Sequence, residues 1–157
     1  MSEVEAKRLA EFARAVRDST LRRLRAVPRG FENRRFDQQS MSFADLARHI
    51  ADADRWLFAK LDDPSRAAMT GRSHIAVVAD RVEYEALLEE LGETGRRRAE
   101  LLESMTADRL AQALPDERFG GAASVWWIIV RGNLDHEIHH RGQIAALLAV
   151  VQREFSA

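Results

Sequence analysis

The chain of 157 residues contains no cysteine. Its fold cannot lean on disulfides, no protein thiol can act as nucleophile, and any metal site must be built from histidines and carboxylates. Proline occurs only three times, so long helices can run without interruption. No apolar run approaches the roughly 18–20 residues of a transmembrane helix, and no membrane partner is expected. Neither sign of charge dominates: 24 basic and 25 acidic residues leave a net charge of −1. That removes any global electrostatic reason to expect nucleic acid. The local groups Arg22-Arg23-Arg25 and Arg96-Arg97-Arg98 read as solvated helix faces. The opening MSEVEAKRLAEFARAV carries charges at helical spacing and lacks the apolar stretch of a signal peptide, so a cytoplasmic setting is expected. Strand-like alternation of useful length is also missing.

What is present is helical periodicity. Apolar residues make up 46% of the chain, enough to bury the core of one domain spanning 1–157. Four segments repeat with period 3.6. The first opens on a capping box, Ser2-x-x-Glu5, and its stripe runs Leu9, Phe12/Ala13, Val16, Thr20, Leu24 before Pro28 and Gly30 stop it. The second begins at Ser42-x-x-Asp45, with Leu46, His49/Ile50, Ala53, Trp56/Leu57 and Lys60/Leu61 on one face, and ends at Asp63-Pro64. The third starts near Asp80 and runs Tyr84, Leu87/Leu88, Leu91, Gly95, Arg98, Leu101/Leu102, Met105. Gly92 and Gly95 each cost about 1 kcal/mol against alanine there, which points to close helix approach or a bend. A short helical turn is expected within 106–114. After Pro115 and Gly120-Gly121 the fourth segment, 124–152, carries Trp126, Ile129/Val130, Asn133, His136/Glu137, His140, Gln143/Ile144, Leu147 and Val150 inward. The pattern predicts an all-α four-helix bundle.

Residues four apart on a helix stack on one face. His136 and His140 therefore point inward together, and His49 occupies the inward face of the second helix. Three imidazoles in a bundle interior are costly to bury without a partner, and one divalent ion satisfies all three. Three neutral nitrogens leave a coordination position open, as in catalytic rather than closed structural sites. His139 is turned about 100° from His140 and falls four residues after Asp135, a spacing that suits a surface ion pair. His74 lies in a loop beside Gly71 and reads as solvated.

Two other metal motifs overlap these residues. His136-Glu137-Ile138-His139-His140 satisfies H-E-x-x-H, which would make Glu137 the general base of a zinc protease. Only 17 residues follow His140, the third ligand of that motif is missing, and no strand offers substrate pairing. Glu137-x-x-His140 is half of a di-iron motif, but the second Glu-x-x-His that such sites need does not occur. A mononuclear site fits better.

The strings SFADLARHIADADRWLFAKL and NLDHEIHHRGQIAALL, above all His136 to Gln143, resemble the DinB/YfiT-like metalloprotein superfamily along nearly the whole chain. The resemblance implies an up-down-down-up bundle, commonly dimeric, whose metal is held by one His of helix two and two residues a turn apart on helix four. On this chain those are His49, His136 and His140. It also implies thiol chemistry as one expectation, since members with assigned activity include thiol-dependent enzymes that use bacillithiol, mycothiol or glutathione, while many others have no known activity.

The expectation is a metal-dependent enzyme of small molecules, a thiol S-transferase or isomerase with Zn²⁺ or Ni²⁺, although imidazole also accepts Fe²⁺ and Cu²⁺. A low-molecular-weight thiol would be the co-substrate and the protein a homodimer. The alternatives are a non-catalytic dimeric stress-response protein and a metal-dependent hydrolase. Asn133, Gln143 and Glu137 lie on the ligand face and are candidates to orient imidazoles or substrate. Asp45 either holds the free nitrogen of His49 or caps its helix. Arg98 either meets an anionic substrate group or snorkels to the surface. Trp56, Trp126 and Trp127 read as core or dimer contacts.

Overall fold

A computed structural model describes residues 3–67 and 75–156; Ser2 of the first capping box and His74 lie outside them. The chain is mostly helical. Helix α1 spans Glu3–Arg25, α2 Phe43–Asp62 and α3 Arg81–Glu103. The box at Ser42 forms as expected: its side chain accepts from the Asp45 N–H at 3.0 Å, and Asp45 accepts from the Ser42 N–H at 2.9 Å. At α3 the cap differs in detail. Asp80 accepts from the N–H groups of Val82 and Glu83, whereas Glu83 reaches back to the N–H of Ala79 rather than that of Asp80.

The short helix α4 spans Ala107–Ala111, capped by Thr106. Beyond it the expectation of a strand-free chain fails. Strands β1, Ala113–Asp116, and β2, Gly121–Ser124, pair antiparallel with Leu114 opposite Ala123. Four residues per strand are too few to register as an alternating pattern, and the turn between them works because Gly120 and Gly121 take φ of 81° and 107°. Arg118 in that turn grips the buried carboxylate of Asp116 and lies over the Trp56 ring, 4.3 Å from its centroid.

The final segment is one continuous helical run with a defect in it. Helix α5, Val125–Ile129, passes through a π-helical turn, Val130–Leu134, into α6, Asp135–Phe155. A π turn accommodates an extra residue and rotates the face that follows. Along this run the buried apolar residues include Val125 and Ile128 before the turn and Leu148 and Val151 after it, whereas the expected Trp126, Leu147 and Val150 are only partly buried. A similar correction applies to α1, where Phe12 is exposed and the small residues Ala6, Ala10 and Ala13 face inward.

Helix α3 packs along α1 and α2, and α6 packs on the same two. The apolar core divides into two clusters. One contains Leu21, Leu24, Phe43, Ile50, Tyr84, Leu91, Ile144 and Val151; the other contains Ala10, Ala13, Leu57, Leu61, Leu102, Ile128 and Leu134. Along α1 and the final segment the chain runs from the second cluster to the first, and along α2 and α3 in the reverse sense. Between the clusters lies a polar level, and the histidines are in it.

Candidate metal centre

His49 comes from α2, and His136 and His140 come from successive turns of α6. Their Nε2 atoms converge: His49 to His136 is 2.9 Å, His140 to His136 is 3.0 Å, and all three potential ligand atoms lie within 4.8 Å of one another. Two nitrogens each about 2.0–2.1 Å from a shared ion lie roughly 3–3.4 Å apart, so the three are spaced to hold one.

Protonation favours the same use. Burial, reinforced by the neighbouring imidazoles, pushes His136 down to about 3. Burial likewise pushes His140 down to about 4, against the pull of Gln143, and lowers His49 against the charge of Asp52. All three are neutral near pH 7 with lone pairs available. His140 Nδ1 lies 2.7 Å from Gln143 Oε1, an acceptor, so it carries the ring proton and leaves the Nε2 lone pair facing the centre. His136 Nδ1 is buried and finds no partner among the described residues, so no acceptor there fixes the proton of that ring on Nδ1 as Gln143 does for His140. The donor set of three neutral imidazoles fits a borderline divalent ion.

Above His49 and His140 opens a cavity of about 480 Å³. Met41, Leu46, Ala146 and Leu147 supply apolar wall, while Ser40, Gln39 and Gln143 supply polar edge. A small ligand in it can reach two of the three histidines. His139 is exposed and accepts from Gln143 Nε2 at 3.3 Å, instead of pairing with Asp135, which is taken by Arg131.

The other expected residues fall elsewhere. Asp45 has both oxygens engaged: Oδ2 by Ser42 and Arg35, Oδ1 by the N–H of Ala76 at 2.8 Å. It caps the helix and ties down two loops. Arg98 neither snorkels nor meets the cavity; it is 0% exposed. It donates to Asp54 Oδ1 at 3.0 Å, Asn133 Oδ1 at 3.0 Å and Glu137 Oε2 at 2.7 Å. Asn133 in turn donates to Asp54 Oδ1 at 3.1 Å. Asn133 and Glu137 therefore serve a charge cluster rather than the imidazoles.

The sequence reading missed the rest of this cluster. Arg17 donates from Nε to Glu137 Oε1 at 2.9 Å and from Nη2 to Asp54 Oδ2 at 2.7 Å and Glu137 Oε2 at 2.9 Å. Thr20 adds a bond to Glu137 Oε1 at 2.9 Å. Burial opposes ionisation of Glu137, but Arg98 and Arg17 overcome it and hold its carboxyl down at about 2. Asp54 is held low against its own burial by the same two guanidiniums. A carboxylate so committed has no capacity as a general base, which removes the protease role of Glu137 on physical grounds. The signal for the cluster was Arg98 itself, a charge on an apolar stripe. Arg17 and Asp54, each one position off the idealised stripe, gave no comparable sign.

Among the described residues no helix is long and apolar enough to cross a membrane. A family model described as the DinB superfamily matches residues 8–144. The crystal structure of a DinB-like protein, YjoA, from Bacillus subtilis is similar to this chain with a TM-score of 0.61 and 16% identity, over 90% of this chain and 86% of that one. At that identity the likeness concerns the fold. No curated protein matches the chain.

Proposed function

The chain belongs to the DinB superfamily, and from that premise we propose that it is a divalent-metal-dependent enzyme of small molecules, with a low-molecular-weight thiol as its first choice of co-substrate. The observation that carries this reading is the convergence of three neutral imidazoles beneath a cavity that reaches two of them. When bound, an ion at these nitrogens supplies Lewis acidity that makes thiolate or hydroxide accessible near neutral pH. Uncharged ligands leave the full charge of the cation available for that purpose.

The chain's own residues do the rest. His49, His136 and His140 hold the ion, and Gln143 fixes the tautomer of His140. Leu46, Met41 and Leu147 keep the approach dry on one side. An S-transferase or isomerase is the favoured activity, and Zn²⁺ or Ni²⁺ the favoured ion. The same reading includes an up-down-down-up order of the helices, which the opposite running of the two apolar clusters supports, together with a homodimer and a cytoplasmic setting.

Metal analysis of untagged protein is the first test, with near-stoichiometric zinc or nickel expected. Thiol-dependent consumption of an electrophile such as monochlorobimane should then be lost in His140→Ala. A metal-bound protein with no thiol-dependent turnover, whose metal serves only thermal stability, would replace this reading with a non-catalytic one. Turnover of a hydrolysable ester without thiol would point to a hydrolase.

A further inference from the structure

The buried cluster beside the histidines has a pattern in its connectivity. Both carboxylates stand on the helices that supply metal ligands, Asp54 on α2 and Glu137 on α6. Both guanidiniums come from the two helices that supply none, Arg17 on α1 and Arg98 on α3. Each arginine bonds both carboxylates: Arg17 at 2.7 and 2.9 Å, Arg98 at 3.0 and 2.7 Å. Helices α2 and α6 touch one another less than either touches α1 or α3 on its other side. Two like charges facing across the least supported interface are thus cross-tied twice through the flanking helices.

The cluster is an expensive way to gain stability. Four desolvated charges of this kind contribute little more, and often less, than apolar residues of the same volume. What they add is directional: a bidentate guanidinium fixes the rotation and height of its partner, which interchangeable apolar contacts between two clusters do not. Glu137 is adjacent to His136, and Asp54 lies five residues beyond His49, so the rotation fixed by the cluster is the rotation of the ligands. The π turn serves the same end by bringing Asn133 to Asp54 and Arg98 one turn before Glu137.

We propose that Arg17, Asp54, Arg98 and Glu137 are positioning residues that set α2 against α6 and thereby hold His49 within one ion's reach of His136. This rests on the metal-site reading, and its test has an arm that needs no metal. The variants are Asp54→Asn, which keeps the shape, and the double change Asp54→Leu with Arg98→Met, which removes one charge of each sign. The first readout is the imidazole ¹⁵N spectrum of metal-free protein. The second is zinc affinity by chelator competition, with the visible spectrum of Co²⁺-loaded protein.

In a variant that keeps the helical circular dichroism of the parent, the resonances of His49 and His136 should move, zinc should bind at least about tenfold more weakly, and the cobalt bands should change. Of two further single changes, Arg98→Lys, which keeps the charge, should retain less than half of the affinity that Arg98→Met loses, because an ammonium does not reproduce the planar fork that spans Asp54 and Glu137. A folded variant with a lower melting temperature but unchanged imidazole resonances and unchanged zinc affinity would overturn the proposal. Absence of zinc binding in the parent would sink the metal reading alone, since the metal-free resonances would still report whether the cluster positions the rings.

Discussion

At the scale of single residues, the exposed Gln143 bears more directly on the centre than the buried groups around it. Its Oε1 fixes the proton of His140 on Nδ1, and its amide N–H₂ is directed to His139. Without it, His140 can put its proton on Nε2, the atom that must face an ion. Gln143→Ala should therefore weaken zinc binding by about 10–100-fold, the usual effect of losing a ligand's hydrogen-bond partner. Because the side chain is exposed, the melting temperature of metal-free protein should hardly change. Chelator competition and a thermal melt on the same sample separate the two effects; a fall in stability with unchanged affinity would show that Gln143 supports the helix and not the ligand.

At the scale of elements, the two glycines of α3 look alike in sequence and differ in consequence. A Cβ on Gly95 would stand 2.7 Å from both Cγ and Nη1 of Arg17. Arg17 cannot yield, since its guanidinium is tied to Asp54, Glu137 and Thr94 and its Nη1 also to the Leu91 carbonyl. A Cβ on Gly92 would meet only Arg96 and Leu21, at 3.6 and 3.7 Å. Gly95→Ala should destabilise by roughly 1–3 kcal/mol despite its better helix propensity, whereas Gly92→Ala should gain up to about 1 kcal/mol. Urea denaturation of the pair would check this; equal effects would mean that Arg17 is not held as rigidly as its bonds suggest. The contrast also marks what was legible in the sequence. The cap at Ser42, the approximate limits of the long helices and the gathering of His49, His136 and His140 follow local rules of spacing, and each could be read. Whether Gly95 admits a neighbour, or Arg98 has a counter-ion, depends on residues 78 and 44 positions away, and no periodicity within one helix records them. The hairpin at 113–124 escaped because four-residue strands fall below the length at which alternation shows, and the π turn because it shifts a stripe without breaking it.

At the scale of the whole molecule, the titrating groups of the polar level all act in one direction. An unfolded histidine takes up its proton near pH 6.5, while folded His136 does so at about 3 and His140 at about 4. Between those limits the unfolded chain binds protons that the folded one refuses, so stability is full above about pH 6.5 and falls as the pH drops through this window. Glu137, held at about 2 against an ordinary 4.5, adds a second loss below about pH 4.5 with the same sign. Metal-free protein should therefore lose stability continuously on acidification from pH 7, and His136→Asn should flatten the upper part of that profile. A profile already flat from pH 7.5 to 5 in the parent would mean that the imidazoles are solvated.

The same groups set how zinc binding depends on acidity. Exposed histidines lose metal as protons compete near pH 6.5. Here folded His136 and His140 have already expelled those protons, and burial lowers His49 as well, so an ion has fewer protons to displace near pH 6. The dissociation constant of folded protein should therefore rise much less steeply from pH 7.5 to about 5.5 than three ordinary histidines would make it, although the protein around the site is becoming less stable. Competition titrations across that range decide it: a loss steeper than tenfold per unit below pH 6.5 requires more than one proton to compete, and would show that burial between the two apolar clusters does not prepare His136 and His140 for the ion.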